Sequence, residues 1–253
     1  MPAESPIPAA SFISAAIAPN SIDHFVLMMT SRRLRPLVAT SMTLGKVIGN
    51  VVAQGQESEI QKLKLNWWLE EIQMTSNGEP RHPLSIELSN ALEHKRWLNP
   101  LRTLVLGTLD DVGQAPFESL VACLAFCHHT AERQALVASV LPECEEVALG
   151  NARKMGVGIC LTEVIFDQPD TRRCSSDSIA TEDLAAIARD HFADVETVPA
   201  EQRHAQLSVY LQSRLYQRLL ERLQIHGYHR ERATKAPFAL LWQAWREARR
   251  LMR

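Results

Sequence analysis

The chain has 253 residues, 46% of them hydrophobic, and a formal net charge of −2. This is enough apolar material for a substantial core, too apolar a composition for a disordered chain, and too little basic excess for a general nucleic-acid binder. No apolar run is long enough to cross a bilayer, and the five cysteines, odd in number and without a CxxC pair, read as reduced, mostly buried thiols of a cytoplasmic protein.

Residues 1–20 are rich in Ala, Ser and Pro, with Glu4 their only charge, which fits neither a secretory nor a mitochondrial leader. They are expected to form a flexible or loosely docked arm, followed by one helical domain over residues 21–253. Asn20 or Ser21 caps a helix through Phe25 and Met29, and Pro36 opens a second through Leu44, Ile48 and Val51. After a turn at Gln54–Gln56, Glu57 to Met74 forms a helix with two apolar stripes, which predicts packing on two sides. Asn77-Gly78 stops it, Pro80-Arg81-His82-Pro83 is a turn, and a helix follows through Leu92. Asn99-Pro100 starts another that ends at Asp110-Asp111. A single long helix is expected from Phe117 towards Val140, and Pro142 opens the next.

That next helix, through Asn151–Thr171, is mostly apolar, carries Gly156 and Gly158, and is expected to end at Pro169 with Asp167 and Asp170 beside the stop. Each glycine costs about 1 kcal/mol in a helix relative to Ala, so a neighbour or a ligand must approach closely there. Asp167 to Ser178 reads as loop, Thr181 starts a short helix, and Pro199 starts one long helix through Leu223 that Gly227 ends. The last helix gathers Phe238, Leu241, Trp242, Trp245 and Met252 on one face, with arginines elsewhere. That face could touch a membrane surface, but packing against the protein with solvated arginines is the expected arrangement. No alternating strand is found, and the fold class is all-α.

Chemistry-bearing motifs are sparse. There is no Gly-rich phosphate loop after a strand, no GxSxG and no HExxH. Cys123 and Cys127 stand one helical turn apart beside His128 and His129, but a tetrahedral zinc site needs more convergent ligands, so buried thiols are expected. His82 reads as a turn residue rather than a general base. Asp110-Asp111 is a helix end unless the fold brings it near Asp167.

The order of these segments resembles the squalene/phytoene synthase family, whose members join two prenyl diphosphates head to head. Lys64-Leu65-Asn66-Trp67-Trp68-Leu69-Glu70-Glu71 is similar to a paired-Trp segment of that family, and Pro80-Arg81-His82-Pro83 to the turn after it. Met155-Gly156-Val157-Gly158-Ile159 through Leu161-Thr162 resembles the helix of its second Asp-rich motif. Thr181-Glu182-Asp183-Leu184 and Gly227-Tyr228 with Lys235 follow in the family's order. The resemblance implies the all-helical fold of the trans-isoprenyl diphosphate synthases, with a central cavity. It also implies ligand- or diphosphate-binding positions at Lys64, Gly156 and Cys160 and metal-binding positions at Asp167 and Asp170.

The departures from the pattern are chemical. Asp170 stands where the family has Glu, Thr171 where it has Asp, and Glu163, Phe166 and Cys160 where it has Asn, Arg and Gln. The first motif's acids fall on or near Gly49, Asn50 and Ala53, and no Asp or Glu occurs between Asp23 and Glu57. A mid-fold tyrosine is replaced by Phe126. The chain is thus more similar to a divergent branch of the family that lacks the first motif and includes a mitochondrial complex I assembly factor. The expectation is a non-catalytic binding or assembly protein with no cofactor. Its expected partners are a prenyl or lipid chain, a protein of respiratory-complex assembly and a peripheral membrane contact, and its expected location is cytoplasmic, with membrane association allowed. The alternative is an active prenyltransferase using Mg²⁺ held by Asp167, Asp170 and Glu163.

Overall fold

The computed structural model describes residues 8–53, 57–113, 117, 119–171, 179–193, 198–234 and 236–252, with the side chains of Ala53, 168–171 and Ala193 outside that set. The turn expected at Gln54–Gln56, most of the link at Gly113–Pro116 and of the loop before Ser178, Cys174 and Lys235 therefore lie outside the described residues. These residues form helices and no strand. The first half contains α1 (Ala9–Ala16), α2 (Ile22–Met29), α3 (Arg35–Ala53), α4 (Ser58–Asn77), α5 (Pro83–Ala91), α6 (Leu98–Asp110) and α7 (Leu120–Thr130). The second contains α8 (Glu132–Ser139), α9 (Glu146–Thr171), α10 (Thr181–Ala193), α11 (Ala200–Ala205), α12 (Leu207–Ile225), α13 (Arg230–Ala233) and α14 (Pro237–Leu251).

Local chemistry accounts for many of the boundaries. Ser21 Oγ accepts from the His24 N–H and caps α2. Gly78, at φ 92°, takes the left-handed position that ends α4, and the Gly78 and Glu79 N–H groups bond back to Thr75 and Met74 carbonyls. Gly227 and Tyr228 both have φ near 60° and turn the chain sharply after α12. In the N-terminal arm, α1 packs on α3 and α5, with the Phe12 ring 4.9 Å from the His82 ring.

Several expectations are corrected. The helix from Phe117 is two, α7 and α8, broken at Ala131, where the hydrogen bonding tightens to the Gln134 N–H on the Ala131 carbonyl at 2.9 Å. Pro142 does not open α9, which begins four residues later. The Pro142 carbonyl instead accepts from Gln206 Nε2 at 2.8 Å. That same buried Gln206 is the break that divides the helix expected after Pro199 into α11 and α12. Pro169 does not stop α9 either: the helix runs two residues further, to Thr171. On α4 only one stripe is buried: Leu65, Trp68 and Ile72 enter the core, whereas Leu63 is 69% exposed and Ile60 and Trp67 also face outward. The aromatic face of α14 is not packed inward. Its buried residues are Gln243, Ala244, Glu247, Ala248 and Leu251, while Phe238, Trp242, Trp245 and Met252 are exposed.

Two cores result. The larger, between α3, α4, α5, α6, α8 and α12, buries Leu44, Ile48, Leu65, Trp97, Leu136 and Tyr210. The smaller, between α7, α9, α10 and α12, buries Cys127, Leu161, Phe192 and Leu220. The glycines of α9 let its neighbours approach. A Cβ on Gly156 would lie 2.8 Å from the Cα and carbonyl oxygen of Ala131, and one on Gly158 would lie 2.9 Å from the Phe192 ring. Gly156→Ala is therefore expected to lower unfolding stability by about 1–3 kcal/mol, since backbone must give way. Gly150→Ala, in the same helix with nothing within 4 Å, should raise it by about 0.5–1 kcal/mol. Urea denaturation of the two variants checks the contrast.

Candidate functional site

Gly45 and Gly49 stand one turn apart on α3 and leave a slot along that helix. Arg133, at the start of α8, fills it. A Cβ on Gly49 would fall 1.8 Å from Arg133 Nη2, and one on Gly45 would fall 3.1 Å from Arg133 Cγ. The break at Ala131 aims α8, and so this side chain, at α3.

Across from the slot, α9 supplies Glu163, with Arg133 Nη1 at 3.9 Å from its Oε2 and the Tyr216 hydroxyl donating to its Oε1 at 2.8 Å. Beside this pair Lys46 of α3 forms an ion pair with Asp23 of α2, and Lys46 Nζ also donates to the Ala16 carbonyl at 3.2 Å. Asp23 is buried and accepts from Gln212 Nε2 at 2.7 Å, and Gln212 in turn accepts from Gln134 Nε2 at 3.0 Å. Six helices, α1, α2, α3, α8, α9 and α12, are tied together by two ion pairs and their hydrogen bonds.

The network divides the space at the centre of the fold. Inside it is a cavity of about 40 Å³, lined among others by Met42, Thr130, Arg133, Gly156, Cys160 and Glu163. That holds about three water molecules at most, well short of the roughly 300–1,000 Å³ of sites that enclose organic ligands. Outside it, and sharing Asp23, Lys46 and Glu163 as its floor, is a cleft of about 350 Å³ walled by Ile22, Phe166, Asp167, Tyr216 and Leu219. Arg230 lies 4.6 Å over the Phe166 ring.

Of the expected site residues, Gly156 and Cys160 line the inner cavity and Asp167 the cleft, so these three share one region of α9. The backbone at Asp170 is helical, and its side chain lies outside the described residues. Lys64 is not brought to them. It lines a separate groove of about 520 Å³ on another face of α3, with Val47, Val51, Leu63, Trp67 and Trp68. Cys160 hydrogen-bonds to Cys127, which also bonds to Cys123. These bonds, with burial, push the Cys127 thiol well up, so it stays protonated rather than offering a thiolate. His129 Nε2 pairs with Asp111 Oδ2 at 2.6 Å, so Asp111 is engaged away from Asp167. Among the described residues no three His, Cys, Asp or Glu side chains converge.

The Pro80–Pro83 turn has its own anchor. Buried Glu71 accepts from the Arg81 and His82 N–H groups at 3.0 and 2.9 Å, while Arg81 Nε reaches its other oxygen at 3.3 Å. His82 then caps α5, its Nδ1 accepting from the Leu84 N–H, and burial lowers its pKa despite the nearby Glu71 charge. It is a neutral capping residue.

Sequence reasoning missed Asp23, Lys46, Arg133, Gln134, Gln212 and Tyr216. The two glycines four apart in α3 are the only local signal of the slot, and nothing in the sequence names the side chain that enters it.

Glu163 keeps 38% of its side-chain surface accessible, on the cleft it lines, yet protein surrounds it. Burial is the largest influence on it and raises its pKa above the ordinary 4.5, with Arg133 and the Tyr216 hydroxyl pulling the other way. A carboxyl with a raised folded-state pKa binds more protons when folded, so its contribution to stability falls as pH rises from about 4.5 through the raised value. Glu163→Gln keeps an acceptor for Tyr216 and removes the titration. Denaturation across that range should show wild type losing stability relative to the variant as pH rises. A relative gain would mean that the Arg133 attraction outweighs burial.

A family model described as squalene/phytoene synthase matches residues 25–174, well over half of the chain. Among solved structures, a dehydrosqualene synthase in complex with ligand is similar over 96% of this chain and 96% of its own, with a TM-score of 0.72 at 12% identity. At that identity the likeness concerns the fold, and it agrees with the expected all-helical isoprenoid-synthase architecture. No curated protein matches. On the family model's match over more than half of its length, the chain belongs to the squalene/phytoene synthase family.

Proposed function

We propose that this chain has lost head-to-head prenyl transfer and acts as a non-catalytic binding or assembly protein, with a prenyl or lipid chain as the ligand its outer cleft suits. The observation that carries this reading is Arg133 in the slot of Gly45 and Gly49, paired with Glu163. Transfer in this family needs a diphosphate to leave, and it leaves when hard cations held by carboxylates neutralise its charge. Here the α3 wall offers Lys46 and the guanidinium of Arg133 in place of acids, and both repel a divalent ion. The donor set does not suit Mg²⁺, so no catalytic step is derived through it.

The cations do not substitute for the metal. Lys46 is paired with Asp23, and Arg133 stands 3.9 Å from Glu163, so each cation's charge is partly offset before a diphosphate could meet it. Each 1.36 kcal/mol of missing transition-state stabilisation is about a tenfold loss of rate, and a site that has exchanged a wall of acids for neutral ion pairs loses several such factors. The inner cavity of about 40 Å³ leaves no room for a prenyl chain beside them. Ligand binding is assigned instead to the cleft beside Asp167, where Ile22, Phe166, Tyr216 and Leu219 supply apolar surface. The similar dehydrosqualene synthase was solved with a ligand, which supports a binding role for this architecture. The assembly role rests on the resemblance to the divergent branch.

The test is incubation with farnesyl or geranylgeranyl diphosphate and Mg²⁺ while following pyrophosphate. No release above a protein-free control is expected. Release that Asp167→Ala abolishes would establish the competing reading, an active prenyltransferase with Mg²⁺ at Asp167 and its neighbours.

A further inference from the structure

The exposed side of α14 is ordered by chemistry. Phe238, Trp242, Trp245, Arg249 and the C-terminal capping Met252 follow one another at three- and four-residue steps and so fall on one stripe. At 1.5 Å per residue the stripe is about 21 Å long. Phe238 is 78% exposed, Trp242 55%, Met252 49% and Trp245 38%. The two indoles stack at 4.9 Å, and Arg249 lies 4.9 Å over Trp245. Arg246 and Arg250 border the stripe on one side, both exposed. The helix has a single acid, Glu247. It is turned inward, 2% exposed, between Arg218 at 3.5 Å and Arg250 at 3.3 Å. The charge α14 shows to solvent is therefore entirely positive, on a protein whose net charge is −2.

We infer that α14 docks in the plane of an anionic lipid surface. A helix with aromatic side chains along one stripe and arginines in and beside it fits the boundary between headgroups and acyl chains, where indoles prefer to lie and guanidinium groups meet lipid phosphates. Its charge selects an anionic lipid surface: the aromatic stripe is flanked by exposed arginines, and the helix's only acid, Glu247, is buried. Because α14 is too short and too basic to span, it lies on the surface, and among the described residues no helix is long and apolar enough to cross a membrane.

The full chain is tested by co-flotation with vesicles of phosphatidylcholine alone and of phosphatidylcholine with about one third phosphatidylglycerol. Binding to the anionic vesicles only is expected. It should weaken sharply between about 0.1 and 1 M salt, as the screening length falls from about 10 to 3 Å. Arg246→Glu with Arg249→Glu should weaken it by about 25-fold or more, about fivefold per arginine. Replacing Phe238, Trp242 and Trp245 by Ser should abolish it. All five side chains are exposed, and an unchanged thermal melt shows that the variants fold. Failure of wild type to float, equal flotation on both vesicles, or flotation that survives the aromatic replacements overturns the inference. So does a concentration-dependent dimer of wild type that the same replacements dissolve, since a second copy would then be what covers the stripe. None of these outcomes depends on whether prenyl transfer has been lost.

Discussion

The structure depends on one side chain in a slot. Gly45 and Gly49 give up side-chain volume on α3, and the guanidinium of Arg133 takes that volume from the opposite side. A charge in the middle of a helical bundle is tolerated only if it is paired, because uncompensated burial costs several kcal/mol. Glu163 supplies the partner, and Tyr216 holds Glu163 in place. The requirement propagates outward. Once Arg133 and Glu163 occupy the interior, Asp23 and Lys46 must form their own pair, and Gln212 and Gln134 carry the remaining hydrogen bonds from α12 to α8. The break at Ala131 belongs to the same arrangement. Ala131 lies against Gly156 of α9, and Arg133, two residues on, enters the slot of α3.

On the proposed loss of prenyl transfer, this chain of requirements is what would separate the central region from a catalytic one. A site that moves diphosphates needs unpaired acids in a wet, divalent-friendly cavity, and its charges must be available to the substrate. Here the charges are balanced internally and the space between them has shrunk to a few waters' volume. The pairs hold helices together. Removing Lys46 would leave the buried Asp23 carboxylate without its cation, whereas Arg133 and Glu163 each keep part of their surface accessible. The segment after the paired tryptophans shows a similar economy: Glu71, acidic by the family's pattern, acts as the anchor of the turn that places His82 at the α5 cap.

Much of the fold was legible because it is written in local rules. Ser21, Gly78, Pro83 and Gly227 mark helix ends by mechanisms that need no tertiary information. The errors came where a distant residue decides. Ala131, Gln206 and the delayed start of α9 are breaks made by side chains and carbonyls far away in sequence, Gln206 with Pro142 and Ala131 with Gly156. The glycines of α9 were legible as close-approach points, but not whether a neighbour or a ligand would approach; Ala131 and Phe192 do. At the site, the loss of acids around Gly49 was visible in the sequence. Its replacement by Arg133 was not, since the two lie 84 positions apart and no pattern links them. The second stripe of α4 and the aromatic face of α14 were misjudged for one reason: helical periodicity shows that a face is apolar and cannot show what that face meets.

The outward face of α14 and the cleft beside Asp167 are mechanically linked. α14 packs on α2 and α12, and those two helices supply Ile22, Asp23, Tyr216 and Leu219 to the cleft. Residues that fix α14 against them, Glu247 with Arg218 of α12 above all, are buried or half-buried. A lipid surface that holds α14 therefore holds two walls of the cleft one helix diameter away, about 10 Å. An apolar chain leaving the bilayer for that cleft would cross little water. The inner network meets the same cleft, since Asp23, Lys46 and Glu163 form its floor. The Asp23–Lys46 and Arg133–Glu163 pairs thus brace helices at the floor of the cleft, while the aromatic stripe of α14 stays outside, where it can meet lipid.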